Sequence, residues 1–325
     1  MTAERDEILA LAAQWADRDG IAALATVIET WGSAPRPAGS QMAVSRAGDF
    51  AGSVSGGCVE GAVIQAAREA TGDGQHCILE FGVPDADAWA VGLACGGRIR
   101  ILVEPVIAGS DLAELRQAIA ARRPTVLETD LETGWHALRA PEGDADAAQA
   151  LAADRATLVE AGRLFLNPFN PPLRLVLVGA VHIAEPLARM AALAGYAVTI
   201  IDPRRAFARA ERFPDVTLVV DWPDEALPRL GLDTRCAVVT LTHDPKIDDA
   251  ALAVALRSPA FYVGALGSTR TQATRRDRLR LLGFNDDTIA RIHGPVGLNI
   301  GARSPAEIAV SILAQMTGKL RGGAT

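Results

Sequence analysis

The chain has no apolar run long enough to cross a bilayer; its most apolar stretch, Leu175 to Ala184, is too short. It has no long basic run either. A net charge of −7 and a pI near 5.3 do not suit a protein that grips a phosphate backbone, so neither nucleic acid nor membrane is an expected partner. Cysteine is scarce, with four in 325 residues and no close Cys-x-x-Cys pair. That excludes a disulfide framework and a zinc knuckle. The first residues, Met1-Thr2-Ala3-Glu4-Arg5-Asp6-Glu7, lack an apolar stretch behind a basic one. No secretory signal is expected, and the expected compartment is a reducing cytoplasm. Hydrophobic residues are plentiful at 49%, with a mean hydropathy of +0.17, which is ample for a packed core. The length exceeds the usual single domain, so two domains are expected.

Periodicity divides the chain. Ile8, Leu11, Ala12 and Trp15 share one helical face, so residues 3–17 read as an amphipathic helix. Residues 22–30 read as a buried strand, and 41–44 with 50–52 as a hairpin. A helix is expected over 59–70, and strands over 76–81 and 98–104. Residues 108–158 show only fragments and read as a connection. Asn167-Pro168-Phe169-Asn170-Pro171-Pro172 reads as a linker, because tandem prolines block both helix and central strand. Beyond it, strands at 173–178, 197–201, 216–220, 237–242 and 261–263 alternate with helices. Ser304-Pro305-Ala306-Glu307 carries the capping signature of a last helix. The expected fold class is α/β: a C-terminal Rossmann-like doubly wound parallel sheet plus a smaller mixed α+β N-terminal domain. The expected boundaries are 1–107 for the N-terminal domain, 108–170 for the connecting region and 171–325 for the Rossmann-like domain.

Two of the four cysteines sit against paired glycines. One is in Gly52-Ser53-Val54-Ser55-Gly56-Gly57-Cys58-Val59-Glu60-Gly61; its echo is Ala94-Cys95-Gly96-Gly97-Arg98. Glycine allows positive φ and close approach of a ligand to the backbone. Gly56, Gly57, Cys58, Cys95, Gly96 and Gly97 are therefore candidate binding residues. Cys58 precedes a helix start, where N–H groups and the helix dipole favour anions and thiolates. Burial of both cysteines as small hydrophobes is the competing explanation. Cys77 and Cys236, within or beside strands, read as packing residues.

In the second half, Gly179-Ala180-Val181-His182 occupies the place of a dinucleotide-binding turn, and Asp202 stands where an acid commonly bonds ribose. Val181 replaces the glycine that lets the backbone approach pyrophosphate, so ordinary NAD(P) binding is not expected. His182, His243, Gly264, Ser268 and Arg303 all lie in or beside glycine-rich or polar turns near strand ends, where open α/β sheets bind ligands. Solvated loop residues, with His182 capping its helix, would give the same pattern.

The combination of Ser55-Gly56-Gly57-Cys58-Val59-Glu60-Gly61, Ala94-Cys95-Gly96-Gly97, Thr240-Leu241-Thr242-His243-Asp244-Pro245, Tyr262-Val263-Gly264-Ala265-Leu266-Gly267-Ser268 and Gly294-Pro295-Val296-Gly297-Leu298-Asn299-Ile300-Gly301-Ala302 resembles the XdhC/CoxI family of xanthine dehydrogenase accessory proteins. The resemblance covers the first hundred residues and nearly all of the chain after the prolines. It implies a chaperone that binds molybdenum cofactor (molybdopterin) and holds it for sulfuration. It further implies delivery to a xanthine dehydrogenase-class molybdoenzyme, with a cysteine desulfurase as donor partner and a homo-oligomer, a dimer, as the assembly. Under that reading Cys58 is a possible molybdenum contact, since thiolates are soft ligands, and no catalytic residue is expected. An NAD(P)-dependent oxidoreductase and a non-catalytic interaction protein are the alternatives.

Overall fold

The structure is a computed structural model that describes residues 2–32, 36–82, 97–109 and 112–323. Cys95 and Gly96 lie outside the described residues. The chain divides into two units, Met1–Pro171 and Pro172–Thr325, so the break falls between the tandem prolines.

The first unit opens with helix α1 (Thr2–Asp19), strands β1 (Ile21–Trp31), β2 (Gln41–Ser45) and β3 (Phe50–Gly52), helix α2 (Glu60–Asp73), and strands β4 (Cys77–Phe81) and β5 (Arg98–Ile107). The strands form an antiparallel sheet in the order β3-β2-β1-β5-β4. β1 reads as a continuous apolar run because both of its faces are covered. Ala23, Ala25 and Val27 pack with Val63, Ala66 and Ala67 of α2, while Ala22 and Leu24 pack with Ile8, Leu9, Ala12 and Ala16 of α1. The period of two sends alternate side chains to opposite helices. Antiparallel pairing also puts the last residues of β1, β3 and β4 and the first residues of β2 and β5 at one end of the sheet. The registers stagger them: Trp31 lies opposite Arg98 and Phe81 opposite Ile99, whereas Gln41 lies opposite Thr26 and Gly52 level with Met42 and Ala25, part-way down β1.

Residues 112–169 form more than a connection. Helices α3 (Leu112–Ala120) and α4 (Ala145–Ala153) accompany a second antiparallel sheet in the order β7-β6-β9-β8. Its strands are β6 (Thr125–Asp130), β7 (His136–Arg139), β8 (Thr157–Val159) and β9 (Leu164–Phe169). β6 buries every residue, including Thr125, Glu128, Thr129 and Asp130. Arg139 pairs with Glu128 and Arg163 with Asp130. Paired charges replace the apolar alternation that would have marked the strand.

The second unit alternates strand and helix: β10 (Leu173–Val178), α5 (Ala184–Leu193), β11 (Tyr196–Ile201), β12 (Thr217–Val219), α6 (Pro223–Leu230), β13 (Cys236–Thr240), α7 (Pro245–Arg257), β14 (Tyr262–Ala265), α8 (Thr269–Leu281), α9 (Asp286–Ile289), β15 (Ile292–His293) and α10 (Pro305–Arg321). All six strands are parallel, in the order β12-β11-β10-β13-β14-β15. That is the 3-2-1-4-5-6 order of dinucleotide-binding folds, with its reversal between β10 and β13. Leu175 and Leu177 face a core shared with α5 and α10; Val176 and Val178 face one shared with α6 and α7. Ser304 caps α10 through the reciprocal bonds with Glu307 that the sequence foretells.

Candidate functional site

In the first unit the site begins where β3 ends. Gly56 and Gly57 take positive φ, 77° and 113°. The turn folds around the carboxylate of Glu60, which is only 9% exposed. Oε1 accepts from Ser53 Oγ (2.7 Å) and Ser55 N (3.0 Å). Oε2 accepts from Ser55 Oγ (2.5 Å), Gly57 N (2.9 Å) and Val59 N (3.2 Å). Ser55 Oγ in turn accepts from Cys58 N and Val59 N, each at 3.0 Å. Burial opposes the charge on Glu60, but the hydroxyl and backbone donors outweigh it and hold the carboxyl down to about 2. An internal carboxylate thus occupies the position at the start of α2 where a bound anion would sit. The side chain left on the outside is Cys58, which is exposed. Space beside the α-carbon of Gly57 is open to at least 4 Å. Gly97 is buried immediately before β5. Cys77 is half-buried against the α2 core, its thiol pushed up by burial and then by Glu69 and Asp73. Cys236 is buried at the start of β13, where burial and a bond to Asp233 push its thiol up to about 11.

In the second unit Gly179, His182, Asp202, His243 and Ser268 all follow the carboxyl ends of parallel strands. Gly179, at φ 112°, presses on the loop after β13: a Cβ there would lie 2.5 Å from Thr242 Cγ2. Ala180 N donates to Asp202 Oδ2 (2.8 Å). Asp202 is fully buried and also accepts from Arg204 N, Nε and Nη2 at 2.8–2.9 Å. Burial raises the carboxyl, but Arg204 and the backbone donors together hold it below the usual range. Arg212 clamps the turn from the other side, bonding Ala180 O (2.8 Å) and Glu185 Oε1 (2.6 Å). Val181 packs against the core under α5. His182 is 89% exposed and does not cap α5, whose N-cap is Ile183 without a side-chain bond. Gly264 is buried within β14, where a Cβ would meet Val296 and Tyr262. Ser268 caps α8 by accepting from Thr271 N (3.2 Å). Arg303 is exposed beside α10, and its N–H joins the Glu307 cap.

The strongest polar construction in this unit rests on residues that the sequence reading did not single out. Asp248, Gln272 and Arg275 are buried on α7 and α8. Asp248 accepts from Thr242 Oγ1 (2.7 Å), Thr242 N (3.3 Å), His243 N (3.1 Å) and Arg275 Nη2 (3.1 Å). Arg275 also donates to Gln272 Oε1 (2.6 Å) and Leu266 O (3.1 Å), while Gln272 Nε2 donates to Ala265 O (2.9 Å). Burial pushes the Asp248 carboxyl above its usual range, and its donors and Arg275 offset only part of that. This network fixes the loops after β13 and β14. It holds His243 in the left-handed region, φ 65°, with its side chain exposed. Such a conformation in a non-glycine residue costs energy and persists only when the surroundings enforce it. A signal for Asp248 did exist: it lies four residues after the N-cap Asp244, where a small apolar residue would suit the inner face of α7.

Comparison with known proteins places the chain in a family. The family model for XdhC and CoxI matches residues 15–82, and that for the XdhC Rossmann domain matches residues 175–316. The chain is 30% identical over 308 residues to the molybdenum cofactor insertion chaperone PaoD of Escherichia coli (strain K12), spanning 91% of this chain and 82% of that protein. It is 28% identical over 311 residues to a probable xanthine dehydrogenase subunit of Bacillus subtilis (strain 168), spanning 91% and 92%. A crystal structure from Bacillus halodurans, described as a xanthine dehydrogenase, superposes with a TM-score of 0.78 at 25% identity, over 98% of this chain and 96% of that one. With both halves matched in order and the similarity running nearly end to end, the chain belongs to the XdhC and CoxI family.

Proposed function

We propose that this protein binds molybdenum cofactor, holds it for sulfuration and delivers it to a molybdoenzyme of the xanthine dehydrogenase class. The observation that carries the reading is the similarity to the Escherichia coli insertion chaperone along 91% of the chain. On this reading the protein works in the cytoplasm as a homodimer, a cysteine desulfurase supplies the sulfur, and the chain itself catalyses no reaction.

The residues present suit such a ligand at the sulfur end. Cys58 offers an exposed thiol on a turn fixed by Glu60 and Ser55. A thiolate is a soft donor matched to a sulfur-rich metal, and the open side of Gly57 leaves room beside it. When bound, the cofactor supplies the sulfur-ligated molybdenum that the client enzyme needs. In the second unit Gly179, Asp202 and Gly264 build the frame, and the exposed His182, His243, Ser268 and Arg303 are available to a ligand or a partner. Cys95 and Gly96 remain candidates on the strength of their sequence.

The test is a molybdopterin assay on purified protein after incubation with cofactor, followed by reconstitution of a client apo-hydroxylase. Retention of cofactor and activation of the client are expected. Cys58→Ala should lower both while circular dichroism stays unchanged. No retention by the parent protein would refute the function; parent-level results for Cys58→Ala would reduce the turn to backbone architecture.

A further inference from the structure

Arg122 and Asp154 take positive φ, 53° and 49°, just past α3 and α4, where a left-handed residue closes the last turn of a helix. His243, at 65°, is placed differently: it stands between the carboxyl end of β13 and the start of α7. Glycine would take this conformation at less cost. The imidazole of His243 is exposed and has no hydrogen-bond or ion-pair partner among the described residues. Its main chain, in contrast, is held by the buried pair, since Asp248 Oδ2 accepts from His243 N (3.1 Å) and from Arg275 Nη2 (3.1 Å). Burying two charges is unfavourable, and a buried pair is a poor means of stabilising a fold. What this pair supplies is a fixed place for the loop. The loop lies against the Gly179 turn through Thr242, at the reversal of strand order between β10 and β13. Open α/β sheets bind ligands at such a reversal. In the Gly179 turn the N–H of Ala180 is already given to Asp202, and Val181 replaces a glycine. A phosphate bound beside that turn must therefore be held by side chains.

We propose that His243 donates a hydrogen bond to the phosphate group of the bound cofactor, and that Asp248 is a positioning residue acting through it; the inference rests on the cofactor-binding function above. An imidazole has a ring N–H to donate whether neutral or protonated, and a bond to a charged oxygen is of the stronger kind. With the backbone pinned by Asp248, the ring is presented without a search over loop conformations, so binding loses less entropy. The left-handed position keeps a side chain because the ligand uses it, while the fold alone would be served by glycine.

The experiment uses the full-length protein with isotope-labelled histidine, titrated with inorganic pyrophosphate and followed by the NMR signals of the rings. The His243 signal is assigned by its loss in His243→Gly, and a saturable shift of it is expected. In urea unfolding, His243→Gly should raise the folding equilibrium constant about threefold, because the strain is released. In the molybdopterin assay the same variant should hold cofactor about tenfold more weakly, as for one lost bond to a charged group. Asp248→Asn should weaken retention in the parent background and add no further loss in the His243→Gly background, a result that a merely structural role does not give. A His243 signal that pyrophosphate leaves unmoved would overturn the proposal. So would a His243→Gly chain that is less stable than the parent, or one that retains cofactor as well. The two readings fail separately. Parent-level retention by His243→Gly removes this contact and leaves the function standing. A parent that shows the pyrophosphate shift but retains no cofactor refutes the function and leaves His243 as a phosphate contact.

Discussion

Replacing Glu60 by glutamine tests whether the cysteine turn is held by charge or by packing. The carboxylate accepts from two hydroxyls and three backbone N–H groups, while an amide oxygen is one acceptor and the amide NH₂ must face donors. Holding the carboxyl at about 2 rather than its ordinary 4.5 corresponds to roughly 3 kcal/mol in favour of the ionised form. Screening by nearby solvent reduces the usable part to about 2 kcal/mol. Because the folded value lies below the unfolded one, this stabilisation is complete above about pH 4.5 and is lost as pH falls through 2. At pH 7, hydrogen exchange at the amides of Gly57 and Val59 should therefore be about 30-fold faster in Glu60→Gln. In urea unfolding, the gap between parent and variant should close as pH drops from 5 toward 2, because the parent then protonates as well. Exchange rates within twofold of each other, or a gap that does not move with pH, would refute the charge argument.

Asp248→Asn should cost about 3 kcal/mol in chemical denaturation, because it neutralises the nearer of the two carboxylates beside buried Arg275, at 3.1 Å against 3.9 Å for Asp249; a loss below about 1 kcal/mol would show that the network is dispensable. NADH should bind weakly or not at all by calorimetry, since Ala180 N–H is already given to Asp202 and Val181 stands in the turn. Micromolar affinity would overturn that expectation, and Val181→Gly should bind no worse than the parent.

The parallel sheet was legible because its strands are buried on both faces and read as apolar runs punctuated by turns. β10 begins and ends where its pattern does, at Leu173 and Val178. The capping signature at Ser304 was legible for a similar reason: its bonds are local and involve residues three apart. The four-stranded sheet escaped because β6 spends its buried positions on Thr125, Glu128, Thr129 and Asp130, whose partners Arg139 and Arg163 lie on other elements. Hydrophobic periodicity carries no information about charges matched at long range.

The candidate site divides along the same line. Positive φ at Gly56, Gly57 and Gly179 follows from residue type, so the turns themselves were visible. What fills those turns was not. Both places where a helix start invites an anion already hold one from within the chain, Glu60 in the first unit and Asp202 in the second. An internal carboxylate makes the loop rigid without a ligand, so its exposed side chains stand ready before anything binds. It also withdraws the backbone donors from competition for a ligand's phosphate. Recognition of a ligand at this turn then falls to side chains, the exposed thiol of Cys58 among them. A protein that must release its cargo gains from this arrangement. Side-chain contacts can be given up one by one to a client enzyme, whereas a backbone cradle fitted to phosphate would have to open to let go.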